Sequence, residues 1–213
     1  MNVIFDYDKP KDIWCLLNKG KASNNSQKPT KAYQQLINEF GDAPSEQDAT
    51  TFIEKYITEQ NIDVKKTIDR YKNEWLGVAD KFQKRAEVIF NTTLPNDIAA
   101  YLTVNSRLPY DIEGNYFFVH MNSKTVRESV MHELWHFYTW YGLGLHQEKL
   151  LGKKKYNDLK EALTILIDIE CKDLMPENAH DSGYPQHEEL RNEIKKLWLE
   201  NKNINFVWQQ ISR

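Results

Sequence analysis

Two histidines and a glutamate stand where they could share a metal ion. The stretch Val130-Met-His-Glu-Leu-Trp-His-Phe-Tyr138 puts His132 and His136 four apart, with Glu133 directly after the first. On a helix, residues four apart lie one above the other, so both imidazoles can reach one ion. Glu133 then faces the open side of that ion, where it can take a proton from water. From Val130 to Leu145 the chain also carries Met131, Leu134, Trp135, Phe137, Tyr138, Trp140, Tyr141 and Leu143. A segment apolar on all sides is a buried helix. Two imidazoles and a carboxylate are costly there unless a divalent cation compensates them. The donor types predict zinc, about one ion per chain.

A catalytic zinc takes three protein ligands and keeps a position for water. A Gly and a His placed three and six after His136 would complete the set, but Thr139 and Gly142 stand there. His146, Glu148, Glu161, Asp168 and Glu170 remain. Glu161 is preferred because it sits in Leu159-Lys-Glu-Ala-Leu-Thr-Ile-Leu-Ile-Asp168, where an uncompensated carboxylate would be expensive. Asp168 lies two turns on, roughly 10 Å along a helix axis, so one ion can hardly take both. It is left as an outer support or an ion-pair residue. His146 and Glu148 follow a Gly-flanked turn and are expected to face solvent.

Several elements must position these groups. A short strand is expected over Asn2–Tyr7, then a loop over Asn18–Pro29. A helix from Thr30 to Phe40 should stop at Gly41, and Ser45 should cap a helix through Glu59, with Asp48 closing a weak capping box. Apolar residues repeat at threes and fours from Ile62 to Phe90, which predicts one long scaffold helix. Strands are predicted over Ile98–Val104 and Tyr116–His120, rich in aromatic and β-branched residues. The His-bearing helix, with Asn122 or Ser123 as its cap, should end at Gly142-Leu-Gly144. A second apolar helix is expected over Tyr156–Cys171, a loop over Pro176–Pro185 and a third helix from Gln186 to Asn201. The fold class is therefore α+β, with a mostly helical region over residues 1–91 and the metal-bearing core over 92–213.

The 213 residues suit one ordinary domain or a domain with a second small lobe. The net charge of −3 gives no electrostatic case for nucleic acid. No apolar run approaches the ~18 residues of a membrane helix. The first residues lack a signal-peptide pattern. Cys15 and Cys171 are far apart and read as free thiols, although one disulfide remains compatible with the sequence. A soluble cytoplasmic protein is the expectation.

Two His on one helix and a Glu on the next resemble the gluzincin group of zinc metallopeptidases, of which thermolysin is a member. The resemblance rests on His132, Glu133, His136 and Glu161, and extends loosely over Tyr101–Leu197. It implies a zincin-like core, with Glu133 as general base and an edge strand, here Tyr116–Val119, holding extended peptide by strand addition. The acidic residue often found four after the ligand Glu is Ile165 here. Small intracellular proteases that cleave repressors are similar in length and in the His-Glu pattern. Such enzymes add a Tyr or His donor toward the oxyanion. Tyr184 and His187, in Asp181-Ser-Gly-Tyr-Pro-Gln-His-Glu-Glu-Leu-Arg191, are the candidates, with Arg191 behind them. The implied function is hydrolysis of peptide or protein substrates. The alternative is a non-catalytic metal-binding or regulatory interaction protein with a vestigial site.

Overall fold

In a computed structural model of the protein, residues 1–22, 28–181 and 183–213 are described, apart from the side chain of Leu145. Positions 23–27 of the expected loop and Ser182 of the Tyr184 segment thus lie outside the described residues. The class is mixed α+β, and the chain forms two compact units, each built from two stretches of sequence.

The first unit comprises Met1–Glu74 and Asn96–Val126. Its sheet has four strands: β1 (Asn2–Asp6), β2 (Asp97–Thr103), β3 (Tyr110–Asp111) and β4 (Tyr116–His120), in the order β1-β2-β4-β3. β1, β2 and β4 run parallel, while β3 pairs antiparallel to β4. β1 and β2 alternate, burying Val3 and Phe5, and Ile98, Ala100 and Leu102. In β4 the consecutive Phe117, Phe118 and Val119 are all buried, as expected of a strand covered on both faces. β4 therefore has neighbours on both sides, which corrects its expected place at the edge; the outer strands are β1 and β3.

Four helices complete this unit: α1 (Lys9–Lys19), α2 (Lys31–Phe40), α3 (Glu46–Glu59) and α4 (Val64–Leu76), the last running into the second unit. Their starts follow capping chemistry. Asp8, Thr30 and Asp63 accept backbone N–H bonds, and Ser45 and Asp48 form the complete capping box. On α1, Trp14 stacks on Phe118 at 6.2 Å, and the buried Asp12 accepts from Thr103 Oγ1 and the Val104 amide.

The second unit comprises Trp75–Pro95 and Arg127–Arg213. It holds α5 (Ala79–Phe90), α6 (Val126–Thr139), α7 (Leu145–Leu151), α8 (Lys153–Ala162), α9 (Ile165–Glu170), α10 (Glu188–Glu200) and α11 (Ile204–Ile211). An aromatic cluster joins α5 to α6: Phe90 meets Trp135 edge-on at 5.1 Å and stacks on Tyr138 at 5.9 Å, and Phe82 lies 6.1 Å from Trp135.

Three helices differ from expectation, each for a local reason. The long Ile62–Phe90 helix is two, because the chain turns after Leu76, where the Val78 amide bonds back to Trp75 O. α6 does not end at Gly142-Leu-Gly144 but passes through a π turn, Trp140–Gly144, into α7. Those glycines serve close packing: a Cβ on Gly142 would lie 2.9 Å from Phe90 O, and one on Gly144 would collide with Tyr156. The expected Tyr156–Cys171 helix breaks at Leu163-Thr164, where the Thr164 hydroxyl lies 2.7 Å from Glu161 O and competes for the backbone. The unit division also departs from the 1–91/92–213 split. β1 pairs with β2 and so draws the N-terminal helices to the sheet, while Phe82 and Phe90 hold α5 against α6. No helix among the described residues is long and apolar enough to cross a membrane.

Candidate metal centre

His132 and His136 project from α6 on the same side, as their spacing requires, and Glu161 comes to them from the last turn of α8. One ligand atom from each of the three lies within 4.8 Å of the others. His132 Nε2 and His136 Nε2 are 3.1 Å apart, Glu161 Oε1 is 3.4 Å from His136 Nε2, and Glu161 Oε2 is 3.7 Å from His132 Nε2. Two atoms bound to one zinc at near-tetrahedral angles stand ~3.3–3.4 Å apart, given bond lengths of about 2.0–2.1 Å. The three separations bracket that value. The donor set therefore suits a zinc ion, with Glu161 presenting one oxygen to each histidine. A second observation agrees: Glu133 is buried, and its Oε2 has no hydrogen-bond partner among the described residues.

A layer of polar groups behind His132 fixes its orientation. His132 Nδ1 lies 2.6 Å from Asp181 Oδ1, which leaves Nε2 for a metal. The other Asp181 oxygen lies 2.5 Å from Thr164 Oγ1 and accepts from Arg191 Nη1 at 2.8 Å. Arg191 also donates from Nη2 to the Asp181 carbonyl at 2.6 Å and from Nη1 to Thr164 Oγ1 at 2.8 Å. Asp168 Oδ1 accepts from the Asp181 amide at 2.9 Å, so Asp168 supports the loop that supports the ligand. Thr164, Asp181 and Arg191 are all buried, and buried polar groups with their partners in place hold a single geometry. The break between α8 and α9 has a purpose here, since it turns Thr164 toward Asp181.

Charge in the cluster is arranged around Glu161. Burial opposes its ionisation, yet His136, His132 and Lys160 hold the carboxyl well below the usual carboxylate range. Burial likewise works against a charged His132, but Asp181 and Glu161 overcome it and hold the imidazole up at about 10. His136, with no such carboxylate pair, is pushed down to about 4 by burial. Burial pushes Glu133 up to about 7.

The remaining sequence candidates fall elsewhere. His187 is buried, with Nε2 3.1 Å from Asp158 Oδ1, one turn before Glu161 on α8. Tyr184 is 52% exposed, and its ring meets His187 edge-on at 5.7 Å. Glu170 accepts from Trp198 Nε1 and Lys202 Nζ, both at 2.8 Å, and His146 is exposed. Asp181, Thr164 and Lys160 are participants that sequence reasoning missed. The signal for Lys160 is the one used for Glu161, a charged residue in an apolar stretch. For Asp181 only its place at the head of the Tyr184 segment could have pointed to it. No protein-family model, curated protein or solved structure matches the chain.

Proposed function

We propose that the protein is a zinc-dependent metallopeptidase with a zincin-like core, acting on peptide or protein substrates in the cytoplasm. The observation that carries this reading is the gathering of His132, His136 and Glu161 within 4.8 Å. The buried carboxylate of Glu133, which follows His132 directly, adds the base that such a site needs. Zinc, when bound, supplies Lewis acidity, which eases loss of a proton from water and polarises a carbonyl.

The chain's own residues do the rest. His132, His136 and Glu161 hold the ion, and Asp181 keeps His132 in the tautomer that presents Nε2. Glu133 takes the proton of the attacking water on a carboxylate oxygen and delivers it to the leaving amine. On the family resemblance alone, Tyr184 is the proposed donor toward the oxyanion, with His187 beside it. His132 and Glu161 keep 24% and 17% of their side chains exposed against 2% for His136. Substrate is therefore expected on the His132 and Glu161 side.

Elemental analysis of the purified protein, followed by digestion of a mixed peptide library, tests the proposal. About one zinc per chain with cleavage abolished by Glu133→Gln is the expected result. A protein that takes up no zinc at neutral pH overturns it. Zinc uptake without cleavage of any peptide leaves a metal-binding protein of regulatory or structural role.

A further inference from the structure

Lys160 is 5% exposed and places Nζ 3.0 Å from Glu161 Oε1. That same oxygen lies 3.4 Å from His136 Nε2. A buried ammonium is costly to desolvate, and adjacent helix residues do not normally face one another, so this placement is imposed by the surrounding fold. The charge of Lys160 acts on Glu133 and His136 as well as on Glu161. Within this cluster a cation and a metal ion would share one carboxylate oxygen.

We propose that Lys160 is an internal counter-cation that competes with the metal for Glu161 and sets the affinity of the site below what its ligands alone would give. This rests on the metal-binding reading above. In the metal-free protein Lys160 offsets the charge of Glu161, a carboxylate that acts on the buried Glu133. When a divalent cation arrives, it takes over that task and repels the ammonium. The two effects are one coupling seen from either end: whatever stabilises the metal-free site weakens binding by the same factor. A merely structural lysine has the opposite signature, since losing it loosens the ligands and weakens the metal.

The test compares wild type with Lys160→Met and Lys160→Arg. Zinc affinity is measured by competition with a chromophoric chelator, and melting is followed with and without zinc. Lys160→Met is expected to bind zinc at least ~10-fold tighter, a gain of about 1.4 kcal/mol. It should melt lower when metal-free, so that zinc raises its Tm more than it raises that of wild type. Lys160→Arg, which keeps the charge, should stay within about threefold of wild type. Should Lys160→Met prove insoluble without metal, Lys160→Gln purified with zinc gives the same comparison. Unchanged or weaker zinc binding in the neutral variant, with wild type binding one zinc, overturns the competition and leaves the metal site standing. Wild type that binds no zinc overturns both.

Discussion

Asp181 Oδ1 lies 2.6 Å from His132 Nδ1, and its second oxygen is held by Thr164 and Arg191. The carboxylate thus fixes both the tautomer and the tilt of one ligand ring. Asp181→Asn keeps the shape but reverses the hydrogen-bond logic at Nδ1. Zinc affinity should fall 10–100-fold, the usual effect of losing such a partner. Chelator competition measures it, and an affinity within twofold of wild type would show that the ring is positioned by packing alone.

Glu133→Gln should retain zinc and lose peptidase activity by ~10²-fold or more, because the amide cannot accept the proton. Metal content and kcat/KM are the two readings. Parallel loss of metal would make Glu133 a ligand.

Glu161 pairs with both histidines, whereas Asp168 pairs with the Asp181 amide. Glu161→Ala removes a donor and should abolish stoichiometric zinc binding. Asp168 accepts from the Asp181 amide and lies 3.8 Å from Arg191, so Asp168→Ala should weaken binding by less than Asp181→Asn does. A reversed order in the same competition assay would refute this layering.

Tyr184→Phe tests the remaining donor. Losing a donor to the oxyanion costs about 3–4 kcal/mol, so kcat should drop 10²–10³-fold with KM little changed. Full activity would confine the Tyr184–Arg191 segment to holding Asp181 in place.

In the first unit Asp12 gives a pH prediction independent of metal. Burial pushes its carboxyl up to about 7, against smaller opposing effects of Thr103, the Val104 amide and Tyr7. Between about pH 4 and 7 the folded chain therefore holds a proton that the unfolded chain has released. The stability this group contributes is full below its unfolded pKa and is lost as pH rises through about 7. Every tenfold difference in acidity between the folded and unfolded chains is worth about 1.4 kcal/mol, so the effect is of a few kcal/mol. Asp12→Asn should gain on wild type between pH 5 and pH 8 in denaturant melts. Parallel curves for the two proteins would place the ionised carboxylate in a better-solvated site than its burial indicates.

Much of this arrangement was legible because it depends on local periodicity. The His132/His136 spacing, the Ser45 capping box and the aromatic strands β2 and β4 are short-range patterns, and all reappear. Helix α1 was not legible because Asp12 occupies a core position where an apolar residue would mark the buried face. Helix α11, whose buried face carries Ile204, Val207, Trp208 and Ile211, follows only three residues after α10 and was hidden by its shortness. The break at Thr164 could not be read because a hydroxyl in a helix gives no sign of whether it bonds its own turn or a distant carboxylate. Asp181 contacts His132 across 49 residues of sequence, and no local pattern encodes such a pairing.

The pairing of β1 with β2 bears on how the chain is made. β1 leaves the ribosome well before its partner, which begins at Asp97. At the usual elongation rate of 5–20 residues per second, the ~90 intervening residues take about 5–20 s. Throughout that time Val3 and Phe5 have no sheet to enter, and a bare strand edge is available to other nascent chains. The charged faces of α1 to α4, which emerge next, are then the solubilising part of the growing polypeptide. A bound chaperone would act on β1 more than on α6 and α8, which arrive after the sheet strands.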